Sequence, residues 1–304
     1  MNTQIENFNI AHCQELYNND LYHGQPKEYI KRSIYPLTNG SHLLFENNEY
    51  QIIETKVLQG KLNRLPTELS KFYFNELKQE YSITINTRPQ ILQGSYINLF
   101  GGFKNTVKSY NDFSDEIKNG VSTMLDFIKT VLCSGNENTF NYMQKWIANM
   151  CRGNKNDSLL YLKGDEGVGK STLSDFLVEY VLGRKIAMKS GSYPLVSGYN
   201  KSLMGKLLVV FEELPTFSKS EWEGVSAQLK EMITGTTYNY NDKYEKMITC
   251  HNLNNYIINT NVSAIQHNEG RRYCILDLSK IMYIFMHYDR LVLIMRLEKP
   301  FFVL

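Results

Sequence analysis

Several absences narrow this chain of 304 residues before any motif is read. Its five cysteines, Cys13, Cys133, Cys151, Cys250 and Cys274, lie far apart, and none forms a CxxC pair. That spacing gives neither a zinc site nor a disulfide framework, and a reducing intracellular setting is expected. The opening MNTQIENFNI carries no basic stretch and no apolar stretch, so no signal peptide is read there. The clearest apolar run near the end, residues 281–286, is far too short to span a bilayer, and no membrane partner is expected. Charge of one sign is missing too. Thirty-three Lys and Arg against 31 Asp and Glu leave a net +2, so any surface for nucleic acid must be local. The six histidines, His12, His23, His42, His251, His267 and His287, show no metal-ligand spacing. No internal repeat is visible.

What is present begins with enough apolar character, 42%, for a packed core. The first hundred residues are polar and rich in Tyr and Asn. Residues 42–54, HLLFENNEYQIIE, read as a hairpin, with two apolar runs flanking an Asn-Asn turn. Residues 67–81 read as a helix with Thr67 as N-cap. The Gly-Gly of YINLFGGFK, residues 96–104, marks a boundary. Helical spacing follows over residues 112–133. It returns in TFNYMQKWIANM, where Phe140, Met143, Trp146, Ile147 and Met150 share one face before RGNKND breaks it.

The densest signal is GDEGVGKSTL, residues 164–173. The apolar run SLLYL leads into it, as a buried parallel strand would, and Leu173, Phe176, Leu177 and Val181 continue it at helical spacing up to Gly183. Strand, glycine loop, helix is the context that a phosphate-binding loop requires. Gly164, Gly167 and Gly169 let backbone N–H groups point at phosphate oxygens, and the helix start adds partial positive charge. Lys170 would reach the terminal phosphates of ATP, Ser171 would ligate Mg²⁺, and Thr172 extends the cradle. The plainer alternative is a glycine-rich surface turn.

Such a loop needs acids. GKLLVVFEELP, residues 205–215, is a second buried-strand pattern ending in Glu212 and Glu213. In open α/β sheets ligands bind at the carboxyl ends of strands. Glu212 is assigned to the Mg²⁺ shell and Glu213 to water activation, with the reverse close behind and a solvated acidic turn as the alternative. A third run, NYIINTN, ends in Asn261, a candidate sensor of the terminal phosphate or attacking water, with Asn259 as its alternate. Arg271 and Arg272 precede a fourth run, CILDL. Either arginine could stabilise transition-state charge, or both could form a basic strand edge.

Between acids and sensor lies an insert. SEWEGVSAQLKEMITG opens on Ser220 and Glu223 as a capping box, with Trp222, Val225, Leu229, Met232 and Ile233 on one face. TTYNYNDKYEKMITC then reads as a hairpin about Asn241-Asp242, with Lys243 and Lys246 among Tyr238, Tyr240 and Tyr244. Cations interleaved with aromatics suit a single strand of nucleic acid; an ordinary exposed hairpin is the alternative.

In this order, GDEGVGKS, LLVVFEEL, the lysine hairpin, YIINTN and EGRR, the chain resembles superfamily 3 helicases. More narrowly, it is similar to the helicase half of viral and plasmid primase-helicases of the poxvirus type. The match is strong over residues 139–279, weak over residues 96–104, and not claimed for residues 1–90.

The resemblance implies an AAA+-like P-loop NTPase core with a parallel sheet, assembled as a homo-hexamer that uses ATP and Mg²⁺ to move on single-stranded or fork DNA. It implies nucleotide on Lys170 and Ser171, metal and water on Glu212 and Glu213, Asn261 as sensor, one of Arg271 and Arg272 as a finger, and Lys243 or Lys246 on DNA. The expected organisation is an N-terminal α+β region over 1–105, a helical segment over 106–152, the ATPase core over 153–280 and an atypical tail over 281–304. No paired-carboxylate polymerase motif precedes the core, so a primase would be a separate chain. The tail matches the family poorly and is read as truncated or frame-shifted near Lys280, against a plain terminal helix or strand. The expected setting is a host cytoplasm or viral replication compartment. The competing functions are an RNA helicase, a packaging or remodelling motor, or an inactive truncated fragment.

Overall fold

A computed structural model describes residues 5–47, 49–88, 90–105, 108–261 and 271–278. The tail, residues 281–304, with its proposed truncation, and His267 lie outside the described residues. The chain forms two compact units. One holds the residues up to Leu99 together with Asn241–Cys250; the other holds Phe100–Tyr240 and the chain from His251 onward.

The N-terminal unit begins with two helices, Ile10–Asn19 and Gly24–Ser33, followed by an antiparallel sheet of Ile34–Pro36, Ser41–Glu46 and Glu49–Glu54. The last two strands are the hairpin read from the sequence, with Ser41 opposite Glu54 and Glu46 opposite Glu49. Phe8, Ile30, Leu44, Leu58, Leu69 and Tyr73 pack its core. The helix expected over residues 67–81 is shorter, Thr67–Lys71 continued in wider turns by Phe72–Glu76, and its cap is Pro66 rather than Thr67. Tertiary pairing overrides the helical pattern beyond it. The Tyr81 N–H donates to the Pro36 carbonyl (2.9 Å), and the Thr38 N–H donates to the Tyr81 carbonyl (3.0 Å).

The second unit is a five-stranded parallel sheet with helices. In chain order its elements are α1 (Asp115–Phe127), α2 (Glu137–Cys151), β1 (Leu159–Gly164), α3 (Lys170–Asp175), β2 (Ala187–Ser190), β3 (Leu208–Glu212), α4 (Lys219–Thr234), β4 (Asn255–Thr260) and β5 (Tyr273–Leu278). The strand order is β5-β1-β4-β3-β2. α1 continues in wider turns through Ile128–Leu132, and α3 through Phe176–Leu182. Leu159 to Leu162, Leu208 to Phe211 and Tyr256 to Ile258 are all buried, as continuous apolar strands covered on both faces must be. On α2, Met143, Trp146 and Met150 are buried, and the Trp146 indole N–H donates to the Ser158 carbonyl (2.9 Å). Among the described residues, no helix is long and apolar enough to cross a membrane.

α4 corrects one expectation. Its capping box is Ser218 with Glu221, not Ser220 with Glu223. Both pairs spell S-x-x-E, and the apolar residues choose between them. With Ser218 as cap, Phe217 before it packs on Trp222 in the second turn (ring centroids 6.2 Å), the apolar staple that fixes a helix entry. The Ser220 phase would set Lys219 against Gly224.

Candidate functional site

The strand order sets the place. From β1 the chain runs through α3 to β2 at one edge; after β4 it returns to β5 at the other. The connections from two adjacent strands, β1 and β4, thus diverge, and such a divergence opens a crevice at the carboxyl edge of a sheet. The register brings five residues to this edge: Gly164 beside Leu278, and Asn259 opposite both Glu212 and Leu162.

The glycine loop occupies the mouth of this crevice. Gly167 (φ +80°) and Gly169 (φ +93°) hold backbone conformations that side chains resist, so the turn into α3 depends on them. Gly164 is required for a different reason. A Cβ there would lie 2.7 Å from the Leu278 carbonyl oxygen, so the loop can seat flush on β5 only without one. At Gly169 a Cβ would lie 2.7 Å from the ring of Phe127, the last residue of α1. Lys170 is buried, and its Nζ donates to the Gly164 carbonyl (2.5 Å) and the Asp165 carbonyl (2.7 Å). The ammonium thus lies within the loop, on oxygens that stand in for the phosphate oxygens such a lysine would meet. Burial pulls its pKa below the usual lysine value, against the carboxylates of Asp165, Glu166 and Glu212. Ser171 is exposed and Thr172 half-buried on the first turn of α3.

The two acids separate sharply. Glu212 ends β3, and both its carboxylate oxygens accept from Asn259 Nδ2 at 3.2 Å. The same Nδ2 donates to Ser174 Oγ at 2.6 Å. Lys189 of β2 reaches Glu212 at 3.0 Å and Asp175 at 2.5 Å. Burial would lower the Lys189 ammonium, but the Asp175 and Glu212 carboxylates hold its pKa above the ordinary value. Glu213 is exposed and left-handed (φ +54°), and its N–H donates to the Asn259 carbonyl (2.9 Å). A non-glycine residue there carries about 1 kcal/mol of strain.

These residues fit a Mg²⁺-bound nucleotide. Mg²⁺ needs one or two carboxylates and completes its shell with phosphate oxygens and water. Among the described residues no three His, Cys, Asp or Glu side chains gather into a cage of their own. Glu212 already has a cationic ammonium against it.

The remaining expected residues are placed as follows. Asn261 lies one residue beyond β4 and is exposed, while Asn259 is buried and holds Glu212. Arg271 is exposed and Arg272 half-buried, just before β5 and at the opposite end of that strand from Gly164. Strands Thr237–Tyr240 and Ile248–His251 form the expected hairpin, but its tip spans residues 241–247 rather than a two-residue turn. Lys243 is exposed, with its ammonium 5.1 Å from the centre of the Tyr244 ring. Lys246 donates to the Gly40 carbonyl at 3.0 Å within the N-terminal unit, where Asn39 Nδ2 also donates to the Met247 carbonyl (3.3 Å). Sequence reasoning missed Lys189, Asp175 and Phe127, which stand in no motif; only the register of β2 and the end of α1 bring them in.

Residues 162–272, just over a third of the chain, match a family described as one of unknown function, DUF5906. No curated protein matches. Two solved apo structures of the C-terminal region of NrS-1 are similar in fold. One has TM-score 0.60 at 20% identity and the other 0.59 at 19%, each covering 86% of this chain. The chain spans 62% of that region, less than two thirds of its length. At this identity the likeness is one of fold.

Proposed function

We propose that the chain is an ATP hydrolase with an AAA+-like P-loop core that works as a replicative DNA helicase of a virus or mobile element. The observation that carries the reading is Lys170, buried in a glycine loop at the sheet's carboxyl edge, beside the strand ends that carry Glu212 and Asn259. On nucleotide binding, Lys170 exchanges its two carbonyl partners for the β- and γ-phosphates, while the N–H groups of the loop and of the α3 start hold the remaining oxygens. Ser171 and Glu212 would hold Mg²⁺, which would supply positive charge against the charge developing on the phosphates. Asn259 keeps the Glu212 carboxylate turned to the crevice. Glu213 takes the proton of the attacking water, and Asn261 orients that water or the terminal phosphate. Arg271 or Arg272 supplies positive charge to the site of a neighbouring subunit in a hexameric ring. Lys243 and Tyr244 offer charge and a ring face to single-stranded DNA.

The role in replication rests on the resemblance to superfamily 3 helicases and on the lysine hairpin between acids and sensor. The test is ATP hydrolysis with and without single-stranded DNA, wild type beside Lys170→Ala. DNA-stimulated turnover that the variant abolishes is the expected result. Stimulation by RNA alone would move the protein to the RNA helicases. Turnover absent from wild type while ATP still binds would make it an inactive relative.

A further inference from the structure

A side chain outside every motif stands at the glycine loop. Phe127 ends α1, and its ring lies so close to Gly169 that a Cβ there would meet two ring carbons at 2.7 and 2.9 Å. Thr172 Oγ1 lies 4.0 Å from the same point, so ring, loop and first turn of α3 converge. The ring is half-buried rather than enclosed. The turns that continue α1, Ile128–Leu132, pack against β5.

The sheet order gives this position a direction. Glu212 ends β3, two strands from β1 on one side, and β5 adjoins β1 on the other. A nucleoside triphosphate with its terminal phosphate toward Lys170 and Glu212 runs back across the α3 start and lays sugar and base on the β5 side. Phe127 is there. We propose that Phe127 is a nucleoside-binding residue, its ring packed on the base of the bound nucleotide; this inference rests on the nucleotide-binding reading above. An aromatic face suits a base, and removing such a partner typically weakens binding about 10-fold.

The experiment separates base from phosphates. ATP and inorganic tripolyphosphate are titrated, with Mg²⁺, into the full chain as wild type, Phe127→Leu and Phe127→Trp, each first checked for an unchanged melting transition. Leucine keeps apolar packing beside Gly169 but offers no ring; tryptophan restores one. The expected result is an ATP affinity about 10-fold weaker in Phe127→Leu, near wild type in Phe127→Trp, and a tripolyphosphate affinity within twofold in all three. Equal loss of both ligands in Phe127→Leu would overturn the proposal, because the ring would then only shape the loop. So would unchanged ATP affinity in Phe127→Leu, or wild type that binds ATP no better than tripolyphosphate. Wild type that binds neither ligand overturns the nucleotide reading itself, and this inference with it.

Discussion

At the scale of single residues, the site is a set of bonds around Glu212. Asn259 is buried and spends its amide N–H groups on Ser174 and Glu212, so Asn259→Ala leaves both short of a donor. A stability loss of about 1–3 kcal/mol is expected in urea titrations, with turnover reduced alongside it. Glu213 is different: it is exposed and strained, and makes no packing contribution that Gln would disturb. Glu213→Gln is expected to bind ATP normally and to lose about 100-fold or more in steady-state turnover. A loss of binding would remove Glu213 from the role of base. Lys155 lies far from this chemistry. Its Nζ donates to the carbonyls of Met232 (2.7 Å) and Asn254 (3.0 Å), and burial lowers its pKa from 10.5 to about 7. Between about pH 7 and 10 the unfolded chain therefore binds the extra proton. Lys155 adds a slope to stability that rises with pH through that window, by up to about 1.4 kcal/mol per pH unit, and its full penalty stands below pH 7. Urea midpoints from pH 6 to 9.5 should rise less steeply in Lys155→Met than in wild type.

At the scale of elements, the buried strands, the helix before them and the hairpins were legible in the sequence because period and apolar runs report burial directly. SLLYL, LLVVF and NYIIN could only be parallel strands or buried helix segments, and the glycine loop decided between them. Less legible were features set by partners distant in sequence. The helix after Thr67 stops early because Tyr81 pairs with the strand edge at Pro36, which no local pattern carries. Lys189 reads as one residue of a short strand, and only register brings it to Glu212. The phase of α4 is carried by Phe217 and Trp222, whose staple fits only the Ser218 cap, and not by the S-x-x-E pair alone. The lysine hairpin carries its own prediction. Lys243 is exposed while Lys246 is engaged with Gly40, so the two should not be equivalent. Lys243→Ala should weaken single-stranded DNA binding across sequences and lower the log–log salt slope by about 0.7, the share of one phosphate contact. An unchanged slope would take Lys243 off the DNA.

At the scale of the whole molecule, the proposed ring makes one subunit depend on another. Arg271 is exposed, at the far end of its strand from the loop of its own chain. If it serves a neighbour, Arg271→Ala should bind ATP with normal affinity yet hydrolyse it poorly. A Lys170→Ala chain, inert alone, should then restore turnover when mixed with it, because each supplies what the other lacks. Mass photometry with ATP should show six-chain particles in both variants. Failure of the mixture to recover activity while six-chain particles form would remove Arg271 from the finger role and leave Arg272 to be tested.

β5 spans the distance between the glycine loop and the two arginines. Its six residues, hydrogen-bonded along β1, make a stiff rod of about 20 Å. One end adjoins Arg271 and Arg272; at the other, the Leu278 carbonyl butts against Gly164 with no room for a methyl group. The glycine is then more than a turn former: it is the surface on which the loop and the end of β5 meet, and a methyl group there would have to part them.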